Sequence, residues 1–242
     1  MDGGVTKIIP AIDLLGGKVV RLHQGRYDEV TVFDDDPVAR AKLFRDHGAE
    51  RLHVVDLEGA KAGEPVQRAV VEAVVRAFGD GVQVGGGVRT QAAYEAYLGL
   101  GARRVVVGTR AAQDPGLVRA LAATHPDTAI VAVDAQDGVV RTWGWTESSG
   151  ITAAELAHRF TGCPISGVLY TDIAQDGTGK GPNVEATRAL AEETGLYVIA
   201  SGGVGTLDHL RALAAARIPA AIVGRALYDG TVPLSALCGL GF

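Results

Sequence analysis

Two aspartates each close an apolar run of strand length: Asp13 ends IIPAID and Asp134 ends AIVAVD. Desolvating a carboxylate there is costly, and function offsets that cost more often than structure does. Two such groups suit general acid–base work, one protonating while the other abstracts; the alternative is that one caps its own loop. Around them lie glycine-rich segments fit to hold phosphate. VGGGVRT carries Gly86, Gly87 and Arg89, and VGTRA carries Gly108 and Thr109; SGGVGT carries Ser201, Gly202 and Gly203, and VGRAL carries Gly224 and Arg225. Backbone N–H groups in such loops cradle an anion that a β-carbon would keep at a distance, and arginine, serine and threonine add donors. The plainer reading is of tight turns from strand to helix. Two pairs together predict a ligand with a phosphate at each end. Such a ligand would raise the pKa of whichever carboxylate must stay protonated. The dinucleotide signature G-x-G-x-x-G is absent, because Gly85-x-Gly87 runs on into Val88, Arg89 and Thr90.

Other polar residues carry two readings each. Thr171 and Asp176, in YTDIAQDGTGKG, either orient a substrate or the acid, or form an Asp-Gly turn. Trp143 and Trp145 follow the hairpin-like VVRT and either cover a heterocycle or wedge against a rim. His53 reads as a packed core imidazole, and Asp56 and Asp172 as loop supports. Asp34-Asp35-Asp36 before Pro37 reads as a helix N-terminus rather than a metal site. Cys163 and Cys238, with no C-x-x-C and no histidine at metal spacing, read as small buried hydrophobes. No metal site is expected.

The elements that must position these residues alternate. Eight apolar runs recur: KIIPAID, RLHVVD, VQVGG, RRVVVG, AIVAVD, SGVLYTD, YVIASGG and AAIVG. They are continuous, as parallel strands covered on both faces are. Between them lie helical patterns such as VQRAVVEAVVRAFG and TLDHLRALAAA, so the chain reads as right-handed βαβ units. Eight units in 242 residues predict one (β/α)8 barrel over 1–242, with an open doubly wound sheet as the alternative. Pro10 sits awkwardly inside the first run, since proline cannot donate to a ladder.

The chain also repeats itself. Asp56 matches Asp172, Gly86 matches Gly202 and Gly108 matches Gly224, each at an offset of 116 residues, while Asp13 matches Asp134 at 121. This predicts two half-barrels, roughly 1–123 and 124–242, with the two aspartates facing each other across the mouth between the two phosphate loops. Glycine is twice its usual frequency, 33 of 242 residues. A formal net charge of −5 with few aromatics argues against a nucleic-acid surface. No apolar stretch is long enough to span a membrane, and the start, MDGGVTKIIP, shows no leader pattern. A soluble cytoplasmic monomer is expected, acting on a small bis-phosphate.

Taken in order, IPAIDLLGGKVVRLHQG, HVVDLEGA, QVGGGVRT, VVVGT, VAVDAQDG, GWTESSG, LYTDIAQDGTGKGPN and IASGGV resemble the phosphoribosylformimino-5-aminoimidazole carboxamide ribotide isomerases of histidine biosynthesis along nearly the whole chain. The resemblance implies an Amadori rearrangement of an aminoaldose to an aminoketose without a cofactor. It implies Asp13 as base, Asp134 as acid, Thr171 and Asp176 as assisting residues, and Trp145 as the covering tryptophan. Three alternatives remain. The sister cyclase shares the half-barrels and both aspartates but typically reads CLDV and VVKG where this chain has AIDL and VVRL. A dual-substrate relative that also isomerises phosphoribosylanthranilate usually reads SGGIR where this chain has GGGVR. A phosphoribosyl-binding barrel without chemistry would be expected to lack one aspartate. The chain departs from the family at Thr142-Trp143, where basic or small residues are more usual.

Overall fold

A computed structural model of the chain describes residues 6–23 and 25–239; residues 1–5, on which the leader expectation rests, lie outside them. The strands are β1 (Lys7–Leu15), β2 (Lys18–His23), β3 (Arg26–Asp34), β4 (Leu52–Asp56), β5 (Val82–Gly85), β6 (Arg104–Val107), β7 (Ala129–Gln136), β8 (Val139–Thr142), β9 (Glu147–Thr152), β10 (Gly167–Asp172), β11 (Val198–Ser201) and β12 (Ala220–Val223). The helices are α1 (Pro37–Asp46), α2 (Leu57–Ala62), α3 (Arg68–Phe78), α4 (Gln91–Gly99), α5 (Thr109–Gln113), α6 (Pro115–Thr124), α7 (Ala153–His158), α8 (Val184–Thr194), α9 (Leu207–Ala215) and α10 (Arg225–Tyr228). The eight predicted runs are β1, β4, β5, β6, β7, β10, β11 and β12. They pair in parallel in that order, and β12 returns to β1, so the sheet is a closed (β/α)8 barrel.

Period-two alternation decides what faces the barrel axis. Ile9, Ala11, Val106, Ile130, Ala132, Leu169, Ile199, Ala220 and Ile222 form the inner core, and a larger cluster including Phe44, Val74, Tyr94, Leu121, Leu156 and Leu210 packs helices on the outside. Asp13 follows Ile9 and Ala11 at steps of two, and Asp134 follows Ile130 and Ala132. Both carboxylates therefore point inward at the C-terminal end, above small alanines that leave room beneath them. The register repeats along with the sequence. Asp13 lies opposite Val55 and Val55 opposite Gly85; Asp134 lies opposite Thr171 and Thr171 opposite Ser201.

Pro10 is accommodated by this alternation. Lys7 donates its amide to Pro219 just before β12, so the missing N–H of Pro10 faces the β4 side, where pairing begins only at Ala11. At the aspartate triplet, Asp36 caps α1 by accepting from the Val38 and Ala39 amides, with Pro37 at the first helical position. Thr90 and Thr206, again 116 residues apart, cap α4 and α9 in the same way.

Two features depart from expectation. Strand β1 continues through the Gly16-Gly17 turn into an antiparallel β2–β3 ribbon, and β7, through Asp137-Gly138 and the hairpin-like VVRT, extends into a matching β8–β9 ribbon. Both turn pairs have positive φ at both residues, the geometry that matches strand twist in a two-residue hairpin. The cysteines are not both buried: Cys163 is half-buried and Cys238 exposed, with its thiol against the Ser235 carbonyl. That segment is a single 3-10 turn, Leu234–Cys238, which buries Ala236 and Leu237 and leaves Cys238 at its end.

Candidate active site

A cavity of about 570 Å3 opens at the C-terminal end of the barrel, within the usual range for small-ligand pockets. Its wall includes every residue singled out above as catalytic or phosphate-binding: Asp13, Asp134, Thr171 and Asp176, then Gly86, Gly87, Arg89, Gly108, Thr109, Trp145, Ser201, Gly202, Gly203, Gly224 and Arg225. Strands β1 and β7 are first and fifth of eight, so Asp13 and Asp134 stand across the mouth from each other. The loops after β5 and β6 lie on one side of that line and those after β11 and β12 on the other.

The two carboxylates have unequal surroundings. Asp13 Oδ2 accepts from Arg21 Nη1 at 2.6 Å in an ion pair whose side chains are each 16% exposed. Burial works against the Arg21 charge, but Asp13 outweighs it, assisted by Tyr228 and Asp176, and the guanidinium is held above its ordinary range. Asp134 has no ion-pair partner among the described residues, and desolvation raises its pKa despite hydrogen bonds from Trp145 and Thr171. Asp176 is pushed up to about 6 by burial and then by Asp13; Asp134 adds to the rise, while Arg21 and the Gly177 amide oppose it. One carboxylate is thus paired with a cation, and two are biased toward the protonated form.

The glycine loops are matched in shape. Gly86 and Gly87 have φ of 109° and 73°, and Gly202 and Gly203 of 88° and 80°. Gly108 and Gly224 share an unusual backbone, φ −102° and ψ −93° against φ −103° and ψ −103°. Chain crossing enforces part of this. A β-carbon on Gly86 would stand 2.2 Å from the Asp56 carbonyl oxygen, and one on Gly203 2.2 Å from that of Gly181. The arginines beside the loops hold other partners. Arg89 donates to the Ala60 carbonyl at 3.2 Å and stacks 4.1 Å from the Trp143 ring centroid. Arg225 donates to the Gly177 carbonyl at 3.3 Å and lies 3.4 Å from Asp229. Trp145 packs over Gly25 of the β2–β3 turn, and the Trp143 amide donates to Thr109 Oγ1 at 3.0 Å.

The supporting residues are also placed. Asp56 is fully buried and accepts from the Gly59, Val66 and Gln67 amides at 2.8–2.9 Å. Asp172 accepts from the Ala174 amide and from Asn183 Nδ2. His53 is buried inside the barrel against Gln83 Nε2 at 3.0 Å, and burial lowers its pKa to about 4, so it is a neutral imidazole.

A model of the family described as histidine biosynthesis protein matches residues 7–233. The chain belongs to that family. Its relatives cover almost all of it. A 1-(5-phosphoribosyl)-5-((5-phosphoribosylamino)methylideneamino) imidazole-4-carboxamide isomerase of Sorangium cellulosum is 57% identical, over 95% of this chain and 96% of its own length. Isomerases of the same name from a Roseiflexus species and Geotalea daltonii are each 49% identical, over 94–95% of this chain and 94–97% of their own.

For this member of the histidine biosynthesis family, the sequence reading passed over Arg21, Tyr27 and Arg141, which also line the cavity. Arg21 was findable: a two-residue hairpin at Gly16-Gly17 brings Val20 opposite Asp13 and places Arg21 next to that pair. Among the described residues no cluster of three or more metal-ligating side chains occurs, and no helix is long and apolar enough to cross a membrane.

Proposed function

We propose that the chain is an aldose–ketose isomerase of histidine biosynthesis. It converts phosphoribosylformimino-5-aminoimidazole carboxamide ribotide to its phosphoribulosyl form by an Amadori rearrangement. The observation that carries the reading is the unequal pair of carboxylates: Asp13, ion-paired to Arg21, and Asp134, half-buried and biased by desolvation toward its protonated form. Asp134 protonates the ribose ring oxygen as the C1–O bond breaks, and the nitrogen lone pair forms the C1=N bond of a Schiff base. Asp13 then removes the C2 proton, giving an enolamine. Reprotonation at C1 and loss of the C2 hydroxyl proton give the aminoketose. The oxidation at C2 and the reduction at C1 balance within one molecule, so proton transfers suffice and no cofactor enters.

The amides around Gly86, Gly87, Gly108 and Thr109 hold one phosphate, and those around Ser201, Gly202, Gly203 and Gly224 the other, with Arg89 and Arg225 turning toward them. Two half-barrels, roughly 1–123 and 124–242, supply these matched sites. Thr171 steadies Asp134, and Trp145 covers the heterocycle. One chain supplies every group, so a monomer suffices, and the cytoplasm is the corresponding location. A second reading makes Asp176 the acid, favoured by its pKa near 6.

The test is a steady-state assay with the histidine-pathway aminoaldose and, in parallel, phosphoribosylanthranilate. Turnover of the first alone is expected. Turnover of both would make the chain a dual-substrate isomerase, and turnover of neither by folded protein would overturn the reading in favour of cyclase or binding roles. Asp13→Asn and Asp134→Asn are each expected to lower kcat by about a thousandfold or more with KM little changed. An active Asp134→Asn beside an inactive Asp176→Asn would transfer the acid role to Asp176.

A further inference from the structure

The aim of the Arg21 guanidinium at Asp13 needs a cause, because no described side chain of β2 hydrogen-bonds it. Of its donors, Nη1 reaches Asp13 and Nη2 reaches the Ala11 carbonyl, each at 2.6 Å, while the buried Nε has no partner among the described residues. The Ala11 carbonyl is free for a topological reason. It faces β12, and β12 ends at Val223, opposite Pro10; the chain then turns at Gly224 into α10. A second donor reaches the same oxygen, the Tyr228 hydroxyl at 2.7 Å. The Tyr228 ring lies under the guanidinium, 5.5 Å from Arg21 Cζ to the ring centroid. That ring is itself held by Phe33 at 5.0 Å, by Phe44 edge-on at 5.8 Å, and by Arg40 at 5.1 Å. Arg40 is neutralised by Asp34 at 2.8 Å.

We propose that Tyr228 is a positioning residue for the isomerase reaction, fixing the Ala11 carbonyl and the Arg21 guanidinium so that Arg21 is aimed at Asp13. This rests on the reading of Asp13 as base. The face of an aromatic ring attracts a guanidinium, and a carbonyl that accepts from both side chains ties ring and cation into one geometry. The hydroxyl remains a donor across the working pH range: burial raises its pKa, Asp13 and Asp34 reinforce the rise, and Arg21 and Arg40 oppose it without reversing it. Asp176 is the other carboxylate that Arg21 feels. A guanidinium freed from the ring can divide itself between Asp13 and Asp176, and the base then loses its dedicated cation.

The test measures pH–rate profiles of Tyr228→Leu, Tyr228→Phe, Arg21→Ala and the double variant Arg21→Ala/Tyr228→Leu with the histidine-pathway aminoaldose. Tyr228→Leu is expected to lower kcat about tenfold at near-parental KM, the scale of a misaligned catalytic group. It should also move the acidic limb of kcat/KM upward by up to about one pH unit, since a carboxylate that loses a nearby arginine is easier to protonate. Tyr228→Phe, which keeps the ring, shows a smaller shift in the same direction. The double variant should be no slower than Arg21→Ala alone, because Tyr228 acts through Arg21. A folded Tyr228→Leu with the parental kcat and acidic limb, or a double variant whose losses add, overturns the proposal. Circular dichroism identifies a variant that has not folded, and Tyr228→Phe then carries the test. Asp13→Asn separates the two failures: activity there overturns the base reading, whereas an inactive Asp13→Asn beside unaffected Tyr228 variants overturns only the role of Tyr228.

Discussion

Asp56 closes an apolar run just as Asp13 and Asp134 do, yet its surroundings give it a different duty, and Asp56→Ala measures the difference. The carboxylate is fully buried and accepts from the amides of Gly59, Val66 and Gln67, with Gln67 Nε2 at 3.3 Å and the Tyr97 hydroxyl at 3.4 Å. Truncation strands the Gly59 and Gln67 amides in the interior, at about 1–3 kcal/mol each. The Val66 amide is only partly buried and recovers a bond to water. Gln67 also loosens, and its side chain ties the Gly17 amide and the Leu14 carbonyl at the end of the strand that carries Asp13. Relief from burying a charge returns part of this loss, leaving a net destabilisation of about 3–5 kcal/mol. For a chain of this size each kcal/mol moves the melting temperature by about 2–4 °C, so a drop of roughly 6–20 °C is expected. Differential scanning calorimetry measures it, and an isomerase assay well below the melt should find kcat within about tenfold of the parent. A melt within about 2 °C of the parent would refute the argument that these bonds hold the loop.

Two further outcomes follow from the carboxylates and the loops. Asp134 and Asp176 have pKa values above those of an unfolded aspartate, so the parent loses stability as pH rises through their folded pKa values, near 6 for Asp176. Asp134→Asn and Asp176→Asn should therefore melt above the parent at pH 8, with the gap closing near pH 4, as melts at the two pH values will show. Gly203→Ala places a β-carbon 2.2 Å from the Gly181 oxygen at a φ of 80°; it should raise the KM for the bis-phosphate about tenfold or more, and a near-parental KM would separate this loop from phosphate binding.

The barrel was legible because its signals are redundant. Continuous β-branched runs, helical spacing between them and an internal repeat all require the same closed sheet, and the inward step from Ile9 to Ala11 to Asp13 follows from strand geometry alone. The ribbons over the mouth were less legible. RYDEVTVFD (26–34) is mostly exposed along its length, so it lacks the apolar continuity that marks the barrel strands, and only the alternation of KVVRLH after Gly-Gly hints at pairing. For the arginines the sequence located the loops but not every contact. Proximity in sequence put Arg89 and Arg225 at the phosphate loops, while long side chains reached other partners, Trp143 and the Ala60 carbonyl for one and Asp229 for the other. Cys238 read as a buried hydrophobe because a cysteine outside any disulfide or metal pattern usually is one; the 3-10 turn buries its neighbours Ala236 and Leu237 and leaves Cys238 itself exposed.

An acid–base pair poses a problem for a symmetric scaffold, since identical halves would give two carboxylates in identical states. The backbone keeps the symmetry: Asp13 stands to Val55 as Asp134 stands to Thr171, in the same register. The side chains break it in two places. At the position where β2 gives Arg21 to Asp13, the 121-residue offset gives Thr142 to the second half, so Asp134 has no guanidinium partner among the described residues. Where the first half has the inert Val55, the second has Thr171, which with Trp145 offers Asp134 neutral hydrogen bonds. A cation favours the anion, while burial among neutral donors with no cation leaves a carboxylate biased toward its acid form. The division of labour proposed for the two aspartates thus rests on Arg21 against Thr142 and Val55 against Thr171. Exchanging Arg21→Thr with Thr142→Arg should lower the pKa of Asp134 while removing the ion pair of Asp13, and turnover should collapse even though both carboxylates remain. Carboxyl 13C NMR titration of the exchanged protein checks the inversion. Unchanged titrations would mean that something other than these partners sets the two states.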